Sequence, residues 1–286
     1  MDSLEEVIGH RWSIERESKK IKRALFYIST VVILLIVSFP FIWMVLASLK
    51  NQLQIMSVNK MFIFKPTFSN YPKVFQEYDF LKPILNSMIV ASLSTLFSLI
   101  IGLPAAYSIA RYRQEKLSFI ILMVRFIPSM TFLIPWFVIF SKIGLTDSYI
   151  SLILSHMVIA LPFIIWVMMP YFETIPKDLE EAATVDGSSH IGVFVKIVLP
   201  LSGPGIITVS ILSFIFSWNN FIMAMILAGG KTKTVPLAIF NFISDANIDW
   251  GGLMAASVTI TLPIIIFSLF TQRFIVKGLT AGAVKG

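Results

Sequence analysis

Glu181-Ala182-Ala183-Thr184-Val185-Asp186-Gly187, followed after nine residues by Ile197-Val198-Leu199-Pro200, is a polar, acidic island in a chain that is otherwise apolar. It lies in the segment Tyr171 to Gly203, between two long hydrophobic runs. Pro176 suits the opening of a helix, and Lys177 to Val185 are good helix formers. Gly187 is a natural stop, and Ser188-Ser189 can cap a second helix that Pro200 and Pro204 end. The first helix places Glu180, Glu181, Ala182 and Ala183 in one turn. Small alanines let another surface come close, while Glu180, Glu181 and Asp186 offer acceptors around an apolar contact. Such a helix suits a cleft on a second protein and can carry a push as a rigid rod. The competing reading is a helix lying in the membrane interface. It fits badly, because interfacial helices favour Lys and Arg, whereas Asp178, Glu180 and Glu181 would face anionic headgroups.

Around the island the chain reads as membrane. Its 286 residues are 56% hydrophobic and 14% charged, with a mean hydropathy of +0.83, against about a quarter charged in a soluble domain. Six stretches reach the roughly 20 apolar residues that cross a bilayer: Ala24 to Leu46, Ile84 to Ala110, Leu117 to Phe140, Ile150 to Met169, Pro204 to Ala228 and Ala255 to Phe274. None contains Asp or Glu, and Arg125 is the one well-buried basic residue. Spans of this length must be helices, because lipid offers no partner to an open backbone. The reading is an all-α polytopic membrane protein. With no cysteine, disulfides and thiolate chemistry are excluded.

An even number of spans puts both termini on one side. Fourteen basic residues fall on the side of the termini and the island, against eight opposite, most of these in the long Ala47 to Pro83 loop. The basic side faces the cytoplasm, and this asymmetry accounts for the net charge of +7 without a nucleic-acid partner. The first apolar run is too long for the core of a cleaved signal peptide. The organisation is then a cytoplasmic tail (1–23), a first span with an external loop (24–83), a five-helix core (84–276) carrying the cytoplasmic loop 171–203, and a cytoplasmic tail (277–286).

Several other positions invite a role. Pro40, Pro104, Pro128, Pro135, Pro162 and Pro263 fall within spans and would kink them. Lys231-Thr232 after Gly230 suggests a phosphate loop, but that pattern needs a further glycine at 225, which is Met. Nothing else resembles a nucleotide site. Arg125, within a span, is read either as a pathway contact or as a side chain reaching the interface or helix carbonyls. Asn219 and Asn220 are candidates for interhelical hydrogen bonds or for lining a pathway, and Asn86 is a further polar group. His156 reads as interfacial, near the end of its span. Trp43, Trp136, Trp166 and Trp250 suit interface or packing roles. No metal-ligand spacing or hydrolytic constellation is present.

Glu181-Ala182-Ala183, Gly187, Ile197 and Leu199-Pro200 together resemble the EAA loop of permease subunits of bacterial ABC importers. Trp218-Asn219-Asn220-Phe221 is similar to a signature of the carbohydrate-uptake branch, and Gln272-Arg273-Phe274 with the tail Gly278 to Gly286 resembles the maltose-transporter-type six-span subunit. The resemblance implies the type I importer permease fold in the bacterial cytoplasmic membrane. It implies that Lys177 to Gly187 is a coupling helix seated on an ATPase dimer, which binds the ATP and Mg that this chain does not. It further implies a second permease, an extracytoplasmic sugar-binding protein near the Gly229 to Gly252 loop, and a tail (Gly278, Gly282, Lys285) reaching the ATPases. A secondary transporter would call for membrane acids and internal pseudo-symmetry, and neither is visible. An intramembrane enzyme lacks any reactive set.

Overall fold

The computed structural model describes the backbone of residues 2–243 and 248–281 and the side chains of residues 19–243 and 248–269. Within these residues the chain is helical, with one isolated bridge between Ile243 and Ile248. The main helices are α1 (Asp2–Ser48), α2 (Asn70–Gln76), α3 (Leu81–Arg111), α4 (Glu115–Phe126), α5 (Leu133–Lys142), α6 (Tyr149–Glu173) and α7 (Lys177–Val185). They are followed by α8 (His190–Leu201), α9 (Gly203–Trp218), α10 (Ile222–Leu227) and α11 (Trp250–Ala281).

Four helices are long and apolar enough to cross a bilayer unbroken: the Lys19–Ser48 part of α1, α3, α6 and the Trp250–Leu269 part of α11. Two bent pairs, α4 with the segment Ser129–Lys142 and α8 with α9, bring the total to six when each pair is counted as one span. Two of the six expected spans therefore differ from simple rods. The run Leu117 to Phe140 breaks at Ile127-Pro128, where both residues are extended and the axis turns by 87°. Pro128 cannot continue the helix and forces its predecessor out of the helical region. The run Pro204 to Ala228 ends at Trp218 and restarts at Ile222. Pro204 sits in the first turn of α9 and opens it, so it does not close the preceding helix as expected. Hydropathy registers apolar length, and a proline or asparagine turn inside that length leaves it unchanged.

The centre of the fold is α3 packed along α6. Gly102 allows this approach, since a Cβ there would lie 3.0 Å from Ile164 Cγ2. α9 lies across both, and α11 packs on α9 and α1. Buried Leu103, Ala106, Ile164, Met168 and Phe172 form one apolar core with Ala183, Val193 and Val198 of the acidic loop. The loop is thus an extension of the core. At the far end of the helices, Val74, Phe80, Trp218, Phe242 and Ala255 form a second core.

His156 is a correction: it is 2% exposed, and its Nδ1 lies 2.7 Å from the Ser217 hydroxyl. Ser217 in turn meets Ser94 at 3.0 Å, so the chain of contacts ties α6, α9 and α3 together. A residue counted along one helix reads as near its end, but the neighbouring helices extend past it and cover it. Replacing His156 by Ala should cost about 1 kcal/mol, the usual size of an interhelical hydrogen bond in a membrane protein. A drop of a few degrees in the unfolding midpoint of the purified protein is expected, and an unchanged midpoint would count against the network.

Candidate functional site: the acidic loop and the two helix breaks

The loop folds as its residues dictate. α7 starts after Pro176 and runs over Lys177–Val185, the segment expected from propensity. Gly187 has φ +88, and Gly187 N donates to Thr184 O while Ser188 N donates to Ala183 O. This is the paired closing pattern that a left-handed residue after a helix makes. A Cβ at Gly187 would touch nothing within 4 Å, so glycine is there for the backbone angle and not for space. The Ser189 hydroxyl then accepts from Gly192 N and caps α8. Within α8 the segment Phe194–Val198 widens to a π-turn. Ile197 and Leu199 pack against the core there, and Pro200 is exposed.

The acids divide into two groups. Glu180 points into its own chain: it pairs with Arg111 Nη2 at the end of α3, and Tyr107 OH donates to its Oε2 at 2.6 Å. Arg111 Nη2 also donates to Ile175 O at 3.0 Å, closing the start of the loop onto α3. The Tyr107 ring is held between Phe172 of α6 and Phe194 of α8. Side-chain exposure is 10% for Arg111 and 12% for Glu180, so this pair is shielded from water. Ala183 is likewise buried against the core, while Ala182 is exposed. The expectation that Glu180 and both alanines face a partner is corrected in these two positions, because a nine-residue helix on a protein surface has to spend one side on its own fold. What remains outward is Leu179 (46% exposed), Ala182, Val185 (87%) and Ile191 (76%), bordered by Asp178, Glu181 and Asp186. It is an apolar face with an acidic rim.

At the opposite end, Asp147 organises the Gly229–Thr232 turn. Its carboxylate accepts from Gly229 N (2.8 Å), Lys231 N (3.1 Å), Thr232 N (2.9 Å) and Thr232 Oγ1 (2.7 Å). Burial alone would raise its pKa, but the Thr232 hydroxyl and the amides of Lys231, Thr232 and Gly229 outweigh it and hold the carboxyl at about 2. The backbone cradle that suggested a phosphate loop is thus filled by the chain's own carboxylate. Asn86 completes the clamp: Nδ2 donates to Lys231 O and Lys233 O, and Oδ1 accepts from Tyr149 OH. Farther along, Asp249 caps α11 and pairs with Lys73 of α2 at 2.8 Å. Sequence inspection missed Tyr107, Arg111 and Asp147. Tyr107 lies 73 positions from Glu180, and Asp147 lies 85 from Thr232, so no local pattern could pair them.

The breaks carry the remaining candidates. Asn219 Nδ2 donates to Ile215 O, and Asn220 Oδ1 accepts from Met223 N. Among the described residues neither makes the interhelical bond considered from sequence; Asn219 adds a second donor to a carbonyl that its own N–H already bonds, and Asn220 satisfies a backbone N–H freed at the start of α10. Trp218 beside them is 2% exposed and stacks on Phe214. Arg125 is in the last turn of α4, its guanidinium 4.5 Å from the Trp166 ring centroid and 5.2 Å from that of Phe163. Trp136 stacks on Phe140, a packing role. Gly278 falls within α11, where side chains are not described, and Gly282 and Lys285 lie outside the described residues.

Bundled apolar helices with two breaks and a core-anchored loop define a polytopic helical membrane protein. Residues 98–281 match the family model described as binding-protein-dependent transport system inner membrane component, and the chain belongs to that family. It is 37% identical over 253 residues to the trehalose transport system permease protein SugB of Mycobacterium tuberculosis, covering 86% of this chain and 92% of that one. It is 34% identical to the trehalose/maltose transport system permease protein MalG of Thermococcus litoralis, over 93% and 98% of the two chains. Among solved structures it is similar to a chain of a bacterial ABC transporter involved in the import of the acidic polysaccharide alginate. That match has a TM-score of 0.77 and 23% identity, over 90% and 97% of the chains. The chain is an all-α ABC importer permease of the carbohydrate-transport type.

Proposed function

We propose that this chain forms half of the translocation pathway of an ATP-driven saccharide importer and is powered through α7. The second half is another permease, and the ATP and Mg sit on a separate ATPase dimer. A saccharide-binding protein delivers cargo from outside. In this reading the termini and the Tyr171 to Gly203 loop face the cytoplasm, and the Asp147-clamped turn faces the binding protein. Glu181, Ala182, Asp186 and Gly187 serve the docking surface, while Ile197, Leu199 and Pro200 set the loop's shape. Gly278, Gly282 and Lys285 belong to a tail directed at the ATPases, and Asn219 and Asn220 flank the pathway. The relatives named for trehalose and maltose support a saccharide cargo.

One observation carries the proposal: α7 is bound to the core on one face and bare on the other, with Leu179, Val185 and Ile191 uncovered beside Glu181 and Asp186. The complementary surface is an apolar groove edged by basic side chains, and the core contact lets a push on α7 reach α3. Val185→Asp would bury a charge in that groove, and Glu181→Lys would invert the rim. Each should weaken retention of the ATPase subunits about tenfold, since an unpaired buried charge is costly. Co-purification of the complex measures this, and undiminished retention in the double variant would remove the docking role.

A further inference from the structure

We propose that Arg125, with Trp166 and Phe163, forms a contact site for an anionic group, a carboxylate or sulfonate, carried by a saccharide cargo. The assignment rests on the importer reading above and adds to it the chemical class of the cargo. Arg125 is exposed, and among the described residues it has neither a hydrogen-bonding partner nor an ion pair. The two rings lie against its guanidinium. It borders a groove of about 490 Å³ lined by Val124, Ile127, Pro128, Ser129, Pro162 and Phe216. A groove of this volume, apolar with a single charged group, has the make-up of a small-molecule site.

The guanidinium lies away from the nearer ends of the helices that hold it. Trp166 and Phe163 precede the end of α6 at Glu173 by seven and ten residues, roughly 10 to 15 Å along the helix at 1.5 Å per residue. Counting along α4 from Glu115 gives about 15 Å. The head of the side chain lies over the rings at that level. Among the described residues the packed helices offer no acid nearby: α9 contains none, and the acids of α4 and α6 are Glu115 and Glu173, both at the far ends of their helices. The five N–H donors of this exposed guanidinium are open to acceptors from another molecule. The break at Ile127-Pro128 adds open backbone carbonyls at the end of α4. These can accept from sugar hydroxyls while the guanidinium takes the anion. The aromatic faces offer stacking to the C–H side of a sugar ring and attract the guanidinium itself.

The test uses the complete transporter, with its partner permease and ATPases, and two labelled probes in equilibrium binding: digalacturonate and neutral cellobiose. Saturable digalacturonate binding is expected, weakening as salt rises. It should fall at least about tenfold in Arg125→Gln, the scale of a charged hydrogen bond. Arg125→Lys should retain part of it, which separates lost charge from lost fold, and cellobiose should be indifferent to either change. Absence of saturable digalacturonate binding, or equal binding in Arg125→Gln, overturns the assignment. So does native mass spectrometry in which Arg125→Gln sheds a bound phospholipid or the partner permease, since the acceptor would then be a phosphate or a partner side chain. Stimulation of ATP hydrolysis by the loaded binding protein is measured on the unmutated complex. If it is present without digalacturonate binding, the importer reading stands and the Arg125 site alone fails.

Discussion

Replacing Arg111 by alanine should disconnect the permease from its motor while leaving the motor attached. Arg111 and Glu180 are nearly closed off from water. Removing one partner of such a pair leaves the other charge stranded, at a cost of about 2 to 3 kcal/mol once partial exposure is allowed for. Tyr107 would still donate to Glu180, but the carbonyl of Ile175 would lose its donor too. α7 would then hold its place on α3 roughly 100-fold less well. Binding-protein-stimulated ATP hydrolysis and uptake should collapse together. The ATPases should still co-purify, because Val185 and Ile191 are untouched. Glu180→Gln should be milder, since the amide oxygen can still accept from Arg111 while the amide nitrogen donates to the Tyr107 hydroxyl. The paired exchange Arg111→Glu with Glu180→Arg should recover part of the coupling. Full coupling in Arg111→Ala would show that force does not pass through this contact.

The second large effect is expected at Asp147. Asn in its place keeps one acceptor oxygen but points an amide donor at Lys231 N, which is itself a donor. Hydrogen bonds to a charged group contribute about 1.5 to 3 kcal/mol, so amide exchange in the Gly229–Thr232 turn should quicken on the order of 30-fold. The same clamp has a pH signature. The carboxyl pKa is lowered from the model-compound value of 3.8 to about 2 in the folded protein. A depressed carboxylate contributes stability that is complete above its unfolded pKa and is lost as pH falls through the folded one. Protection of the turn should therefore hold at neutral pH and fade between about 4 and 2 in the native chain. Asp147→Asn should show no such fade. Exchange measured across that range decides between them, and an identical profile in both proteins would exclude Asp147 as the clamp.

Much of this molecule could be read before any coordinates. α7 covers the residues propensity selects, Gly187 takes the left-handed angle its position requires, and Ser189 caps as a serine there should. These are local effects, decided within a turn or two of chain. Four of the six spans are continuous helices for an equally simple reason, since apolar length forces helix in lipid. The two exceptions hinge on particular residues, Pro128 and the Asn219-Asn220 pair, whose break hydropathy averages away. His156 was misjudged for a related reason: depth along one helix says nothing of what covers it from the next. Arg125 was identified from sequence as a charge within a span, but its rings and its lack of an acid partner come from α6 and α9, far off in the chain.

The sequence by itself determined a membrane bundle, an acidic loop whose first helix opens after Pro176, and the family to which both belong. Those follow from composition and from spacings within some twenty residues. The tertiary structure alone decided how the loop's acids divide. Glu180 turns inward because Arg111 and Tyr107, contributed by α3, surround the place where it lies, while Glu181 and Asp186 meet no such partner and stay outside. Neighbouring glutamates have the same chemistry and the same helix propensity. Only the fold, by bringing a distant cation to one side of α7, makes one of them an anchor and leaves the other exposed.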